Sequence, residues 1–154
     1  MIAVLQRVKH AAVTVNGKDN GGIGAGLVVL LGVAEGDTRE AAELLARKIL
    51  ACRIFEDENG KMNFSVKDIA GGVMVVSNFT LLANCRKGTR PDFGGAARPA
   101  EALPLYEYFI ELIKKEVASV ATGEFGADMQ IDMLNDGPVT LVLESGQLSG
   151  PRRG

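Results

Sequence analysis

A chain of 154 residues, 47% hydrophobic and 23% charged, can bury one sizeable core and is too short for two, which excludes both a multidomain assembly and a disordered chain. Its formal net charge of -2 excludes a nucleic-acid binder that works by bulk charge, so any contact with phosphates must come from a local patch. No apolar run approaches the roughly 20 residues that cross a bilayer, and the start, MIAVLQRVKHAAV, carries Arg7 and Lys9 after its apolar run and not before it, so a cytoplasmic protein with no membrane partner is expected.

The first third reads as strands: Ile2 to Val8, Ala11 to Val15, a polar turn at NGKDNGG, then Leu27 to Val33 as a continuous apolar run suited to a buried strand. In GDTREAAELLARKILACRIF, Asp37 is the expected N-cap, Glu40 stands three residues on, and Ala42, Leu45 and Ile49 repeat at helical spacing. Arg53 to Phe55 and Met62 to Phe64 flank EDENGK, whose Asn59 and Gly60 favour a hairpin turn. Val73 to Leu82 reads as a second buried strand and NCRKGTRPDFGGAARP as a loop. A second helix is predicted from about Ala100 to Val120, with Tyr106, Phe109, Ile110, Ile113 and Val117 on one side. Met129 to Leu134 and Val139 to Leu143 read as two closing strands joined by a turn at Asn135, Asp136, Gly137 and Pro138. Together these elements predict one sheet-rich α/β or α+β domain over residues 1–145, followed by a Gly/Ser/Pro/Arg-rich tail, 146–154, of a composition that favours disorder.

Chemistry is narrowed by what the chain can offer. Cys52 and Cys85 lack CxxC spacing and His10 is the one histidine, so neither a metal site nor any other cofactor is expected. A Ser/His/Asp or Cys/His mechanism would have to use His10, whose place beside AAVTV suits a partly exposed strand residue better. GGIGAG, residues 21–26, fails as a nucleotide loop: Leu27 stands where a third glycine is needed, and a strand follows where a helix should open.

Two segments stand out. VVSNFTLL places Ser77, Asn78 and Thr80 inside an apolar strand, where polar groups are either satisfied locally or face a cavity. Alternation would put Asn78 and Thr80 on one face and Ser77 and Phe79 on the other, leaving part of any role to backbone groups. RKGTRPDF gathers Arg86, Lys87 and Arg90 on a Gly/Pro-shaped loop, which is either a solvated charge cluster or a phosphate grip.

SNFTL, RKGTRPDF, FGADM (125–129) and NDGPVT, with QRV at 6–8 and KILACRIFEDENGKMN between, closely resemble the D-aminoacyl-tRNA deacylase family, in order from Met1 to about Ser145. The resemblance implies a barrel-like arrangement of mixed or antiparallel sheets with two main helices. It implies a homodimer with active sites at the subunit interface that hydrolyses the ester joining a D-amino acid to the 3′ end of tRNA, and that also removes glycine misattached to alanine tRNA. It further implies a cis Gly137-Pro138 bond inserted from one subunit into the other's site, with Arg7 as its support, Ser77, Asn78, Phe79 and Thr80 as the catalytic strand, and Arg86, Lys87 and Arg90 as the tRNA contact. The family's strand motif is usually Ser-Gln-Phe-Thr, so Asn78 shortens an amide by one methylene; Asp92 and Thr89, where serine and a second basic residue are common, make the loop less positive.

An aminoacyl ester is already reactive, so the enzyme needs to place water and stabilise an oxyanion more than it needs a strong nucleophile. Backbone N–H groups around Phe79 and Thr80 are the expected oxyanion site, with Thr80 Oγ orienting water or the ester. Two other function classes remain open in the sequence: an RNA-binding module without turnover, and an esterase or amidase acting on small D-aminoacyl compounds.

Overall fold

The computed structural model describes residues 1–150 in eight strands, three helices and one 3-10 turn. β1 (Ile2–Val15) is the spine of the sheet. Its first half pairs antiparallel with β3 (Gly26–Gly32), from Ile2 opposite Gly32 to Val8 opposite Gly26. Its second half, from Ala11, switches to β2 (Lys18–Ile23). The turn between β1 and β2 is only Asn16-Gly17, both at positive φ, the pair that suits a tight hairpin, so much of the polar stretch expected as a turn is strand.

β3 runs parallel to β6 (Gly72–Ser77), which runs parallel to β7 (Val120–Thr122). A side chain at Gly26 would run into the main chain of Gly72, so two glycines let β3 and β6 start in close contact. Asn20 Nδ2 donates to the Thr122 carbonyl at 2.7 Å and tacks β2 to β7, which curls the sheet into a nearly closed, barrel-like form. β3 is buried on both faces because the two halves of the core lie either side of it: Leu27, Val29 and Leu31 meet the helices, while Val28 packs inside the barrel with Val8, Val13, Ile23, Met74 and Val76.

α1 (Arg39–Leu50) is capped by Thr38, whose Oγ1 accepts from the Ala41 N–H at 3.3 Å. Asp37, the expected cap, instead accepts from the Met1 ammonium at 2.5 Å and from the Ala34 N–H at 2.6 Å, so its carboxylate is taken up outside the helix. β4 (Phe55–Glu56) and β5 (Met62–Phe64) form the small hairpin expected around Asn59 and Gly60. α2 (Pro99–Lys114) packs Tyr106, Phe109, Ile110 and Ile113 on the sheet but stops short of Val120: the open edge of β6 takes Val120–Thr122 as a parallel partner, a tertiary contact that helical periodicity does not register.

β8 (Met129–Glu144) corrects the sequence expectation most. In place of two strands and a turn there is one strand, paired with β1 from Ile2 opposite Glu144 to Val15 opposite Met129. Between Gln6 opposite Thr140 and Val8 opposite Asn135 the register slips, and residues 136–138 bulge from the strand. After β8, Ser145–Leu148 forms the short α3, and Ser145 anchors it by accepting from the Met1 ammonium at 2.7 Å. The first residues of the expected tail are therefore helical; residues 151–154 of that tail lie outside the described residues.

Candidate active site

β6 ends at Ser77, and the chain does not continue extended to Leu82. Asn78 donates its N–H to Leu31 O at 2.8 Å, the last ladder bond to β3, and Phe79–Leu82 coil into a 3-10 turn. The alternation expected for Ser77 to Thr80 is therefore broken at Asn78. The coil turns Thr80 back so that its hydroxyl donates to Asn78 Oδ1, and swings Phe79 outward, 59% exposed, where it meets Phe93 edge-on with ring centroids 5.1 Å apart. Among the described residues, neither the Phe79 nor the Thr80 N–H donates to a main-chain oxygen.

Ser77, Asn78 and Phe79 line a cavity of about 510 Å³ at the carboxyl ends of β3 and β6. Its other walls are Leu31 and Val33, Phe93, the start of α2 at Pro99 and Ala102, and the segment from Phe125 to Met129. No charged side chain lines it. Sequence reasoning missed Leu31, Val33, Pro99 and Ala102; Phe93 fell in RKGTRPDF and Phe125 and Met129 in FGADM, motifs the resemblance had marked without a role for these side chains. Behind the site, Tyr106 donates its hydroxyl to Val75 O at 3.0 Å, and burial pushes that phenol up to about 12, so it supports β6 as a neutral group.

Not every predicted residue meets this cavity. Thr80 lies at its rim and not in its wall. Arg86, Lys87 and Arg90 are exposed on a loop closed at its base by paired main-chain bonds between Asn84 and Asp92, 2.7 and 2.9 Å, and Phe93 carries that loop straight into the cavity wall. Arg7, Gly137 and Pro138 are elsewhere. Arg7 is buried; its Nη1 donates to Ile54 O at 2.7 Å, its Nε to Asp136 O at 3.2 Å, and the same Nε lies 3.4 Å from the Asp136 carboxylate. Asn135 Nδ2 closes the bulge from the other side by donating to Arg7 O and Val139 O. Gly137 has φ +123° and the Gly137-Pro138 bond is cis; a Cβ on Gly137 would stand 2.8 Å from Val139 Cγ2 and 3.1 Å from Arg7 Nη2.

A second hollow of about 550 Å³, between α1 and the end of α2, is charged, but its carboxylates are engaged: Glu116 with Lys67, Asp68 with Ser65, Glu43 with Tyr108. The cavity at Ser77 is therefore the candidate. The class that emerges is a barrel-like α/β domain with a candidate site at a strand end, beside an uncharged cavity; among the described residues no group of His, Cys, Asp and Glu is placed to hold a metal.

The D-Tyr-tRNA(Tyr) deacylase family matches residues 4–144. A D-aminoacyl-tRNA deacylase of Dehalococcoides mccartyi is 55% identical over 152 residues, 99% of both chains, and one of Thermus aquaticus is 52% identical over 152 residues, 99% of this chain and 100% of its own. Among solved structures, the c-Myc DNA unwinding element binding protein superposes with a TM-score of 0.88 at 44% identity, over 94% of this chain and 98% of that one. A probable eukaryotic D-amino acid tRNA deacylase, 17% identical with a TM-score of 0.79, shares the fold over 93% of this chain and 98% of its own. The chain belongs to the D-Tyr-tRNA(Tyr) deacylase family and is by that membership a deacylase, an enzyme of the hydrolase class.

Proposed function

We propose that the protein hydrolyses the ester of D-aminoacyl-tRNA in the cytoplasm, releasing D-amino acid and free tRNA, and that it removes glycine from alanine tRNA in the same way. The observation that carries this is the pair of N–H groups at Phe79 and Thr80, unengaged by main-chain oxygens and set at the edge of an uncharged, aromatic-walled cavity. A planar, uncharged nucleobase suits such a cavity, and the basic loop that leads out through Phe93 suits the phosphates that follow it.

With the ester carbon beside Ser77 to Thr80, the two N–H groups stabilise the tetrahedral oxyanion. The Thr80 hydroxyl donates its hydrogen bond to Asn78 Oδ1, which leaves its oxygen lone pairs free to accept from an incoming water. The shortened amide thus holds Thr80, a role that needs no reach into the cavity. Arg86, Lys87 and Arg90 grip the tRNA end.

Selectivity comes from a second subunit in this reading. Gly137 and Pro138 are exposed and line no part of their own chain's cavity, while β8 leaves its outer edge unpaired and exposes Leu134 (50%) and Val142 (61%). A homodimer that covers β8 would place the bulge in the partner's site, where the Gly137 and Pro138 carbonyls accept from the α-amino group. With amine and ester both fixed, an L side chain points into backbone and a D side chain points out, so exclusion of L does the selecting and glycine passes.

The test is ester release from D-tyrosyl-tRNA and L-tyrosyl-tRNA in chelator. Release of the D ester alone, at an unchanged rate in chelator, is expected. Equal release of both hands, or turnover that needs added zinc or magnesium, overturns the assignment. Binding without turnover would make the protein an RNA-binding module, and turnover of small D-aminoacyl esters that gains nothing from tRNA would make it a small-molecule esterase.

A further inference from the structure

β1 carries an extra residue opposite β8. Val8 pairs with Asn135 and Ala11 with Met133, so three steps along β1 match two along β8 and Lys9-His10 form a bulge of their own. Val8 and Ala11 both face the barrel interior, which turns Lys9 and His10 together toward solvent, on the side of β1 that the buried Arg7 takes two residues before Lys9. On that same face Gly137 stands against the Arg7 guanidinium. His10 is three residues from Arg7, about 10 Å of strand.

The local charges leave Lys9 unneutralised. Asp136, inside the proline bulge, pairs with Arg7 at 3.4 Å, and Glu56 faces Arg7 at 3.8 Å. Asp132, further along β8 opposite Ala12, makes no ion pair with Lys9 among the described residues. An exposed ammonium and an exposed imidazole thus sit side by side, at a fixed offset from the Gly137-Pro138 bulge, on a rigid double strand.

We propose that Lys9 and His10 are a phosphate contact for the tRNA end bound in the partner's site. This rests on the reading that the Gly137-Pro138 bulge enters that site. If it does, β1 carries Lys9 and His10, which lie roughly 7 to 10 Å of strand from Arg7, to the flank of that site, beside the path of the single-stranded 3′ end. The ammonium pairs with one phosphate oxygen and an imidazole N–H donates to the same or the next phosphate. Each tRNA end is then held from both subunits, by the 86–90 loop of one and by the β1 bulge of the other.

The experiment compares wild type, the double variant Lys9→Gln/His10→Gln and Pro138→Ala, measuring KM and kcat for D-tyrosyl-tRNA at several salt concentrations and the ratio of D to L turnover. Both bulge residues are exposed, so the double variant should fold. Its KM should rise roughly tenfold and the slope of log KM against log salt should flatten by about 0.7 per lost phosphate, with kcat and the D/L ratio unchanged. An unchanged KM and slope overturns this proposal alone, and so does a fall in kcat at constant KM, which would make the bulge a positioning element. A Pro138→Ala enzyme that keeps the wild-type D/L ratio overturns both the proposal and the cross-subunit reading beneath it.

Discussion

Replacing Arg7 by Met keeps most of the side chain's volume and deletes its donors, and the structure sets the size of the loss. The buried bond from Nη1 to Ile54 O, 2.7 Å, is charge-assisted, and without it a buried carbonyl is left unpaired, at a cost of about 1.5 to 3 kcal/mol. The longer bond from Nε to Asp136 O, 3.2 Å and part-buried, adds about 0.5 to 1 kcal/mol. The approach to Glu56, 3.8 Å with that carboxylate 57% exposed, adds almost nothing. The sum is about 2 to 4 kcal/mol, which in a domain of this size lowers Tm by roughly 5 to 15 °C. Activity should fall further than stability, because the same guanidinium holds the 136–138 bulge. Thermal unfolding, together with single-turnover release from D-tyrosyl-tRNA well below the variant's Tm, measures both effects. Arg7→Lys should recover part of the stability and little of the activity, since one ammonium cannot serve Ile54 and Asp136 in the same geometry. An Arg7→Met protein that unfolds within about 2 °C of wild type and turns over at the wild-type rate would refute the claim that Arg7 braces the bulge.

Thr80→Ala should lower kcat on D-tyrosyl-tRNA about tenfold to a hundredfold while leaving tRNA affinity in place, a split that single-turnover kinetics and a binding isotherm will show. Arg86→Ala and Lys87→Ala should weaken tRNA binding and flatten its salt dependence by at most about one unit each; normal binding at every salt concentration would leave the loop merely solvated. Gly137→Ala should cost D-substrate turnover, because the new Cβ meets Val139 and the Arg7 guanidinium at a φ that L residues rarely adopt, and unaltered kinetics would show that the bulge has room to give. Tyr106 contributes stability that is whole below pH 10, where the unfolded phenol begins to ionise, and that is lost as pH rises through about 12; the loss, on the order of 2 kcal/mol, should appear in denaturant titrations between those values and be absent from Tyr106→Phe.

What could be seen in the sequence followed the range of the forces involved. β3 and the first turns of α1 and α2 announce themselves because burial repeats along the segment itself. β7 and the true end of α2 do not, since three residues become strand only when β6 offers them an edge. Asn135 to Pro138 have the composition of a turn, and nothing local reveals that β1 pairs on both sides of them and makes them a bulge. At the site, Ser77 to Thr80 were visible as polar residues in an apolar run, whereas the break at Asn78 depends on its N–H meeting Leu31 O on another strand. Pro99 and Ala102 look ordinary in sequence, and Phe93 shows only as the end of the basic loop; their place in the cavity wall comes from the turn in the chain between β6 and α2.

The pairing of β1 with β8 has a kinetic consequence. Ile2 lies opposite Glu144 and Val15 opposite Met129, so β1, made early, is completed by β8, made more than a hundred residues later. Closing so long a loop costs entropy that local contacts do not repay, and a topology dominated by distant pairs folds slowly for its size. A ribosome-bound fragment lacking residues 129–144 would expose the flank of β1 and carry no proline bulge, so a nascent chain gains that bulge and loses its stickiest edge in one late step.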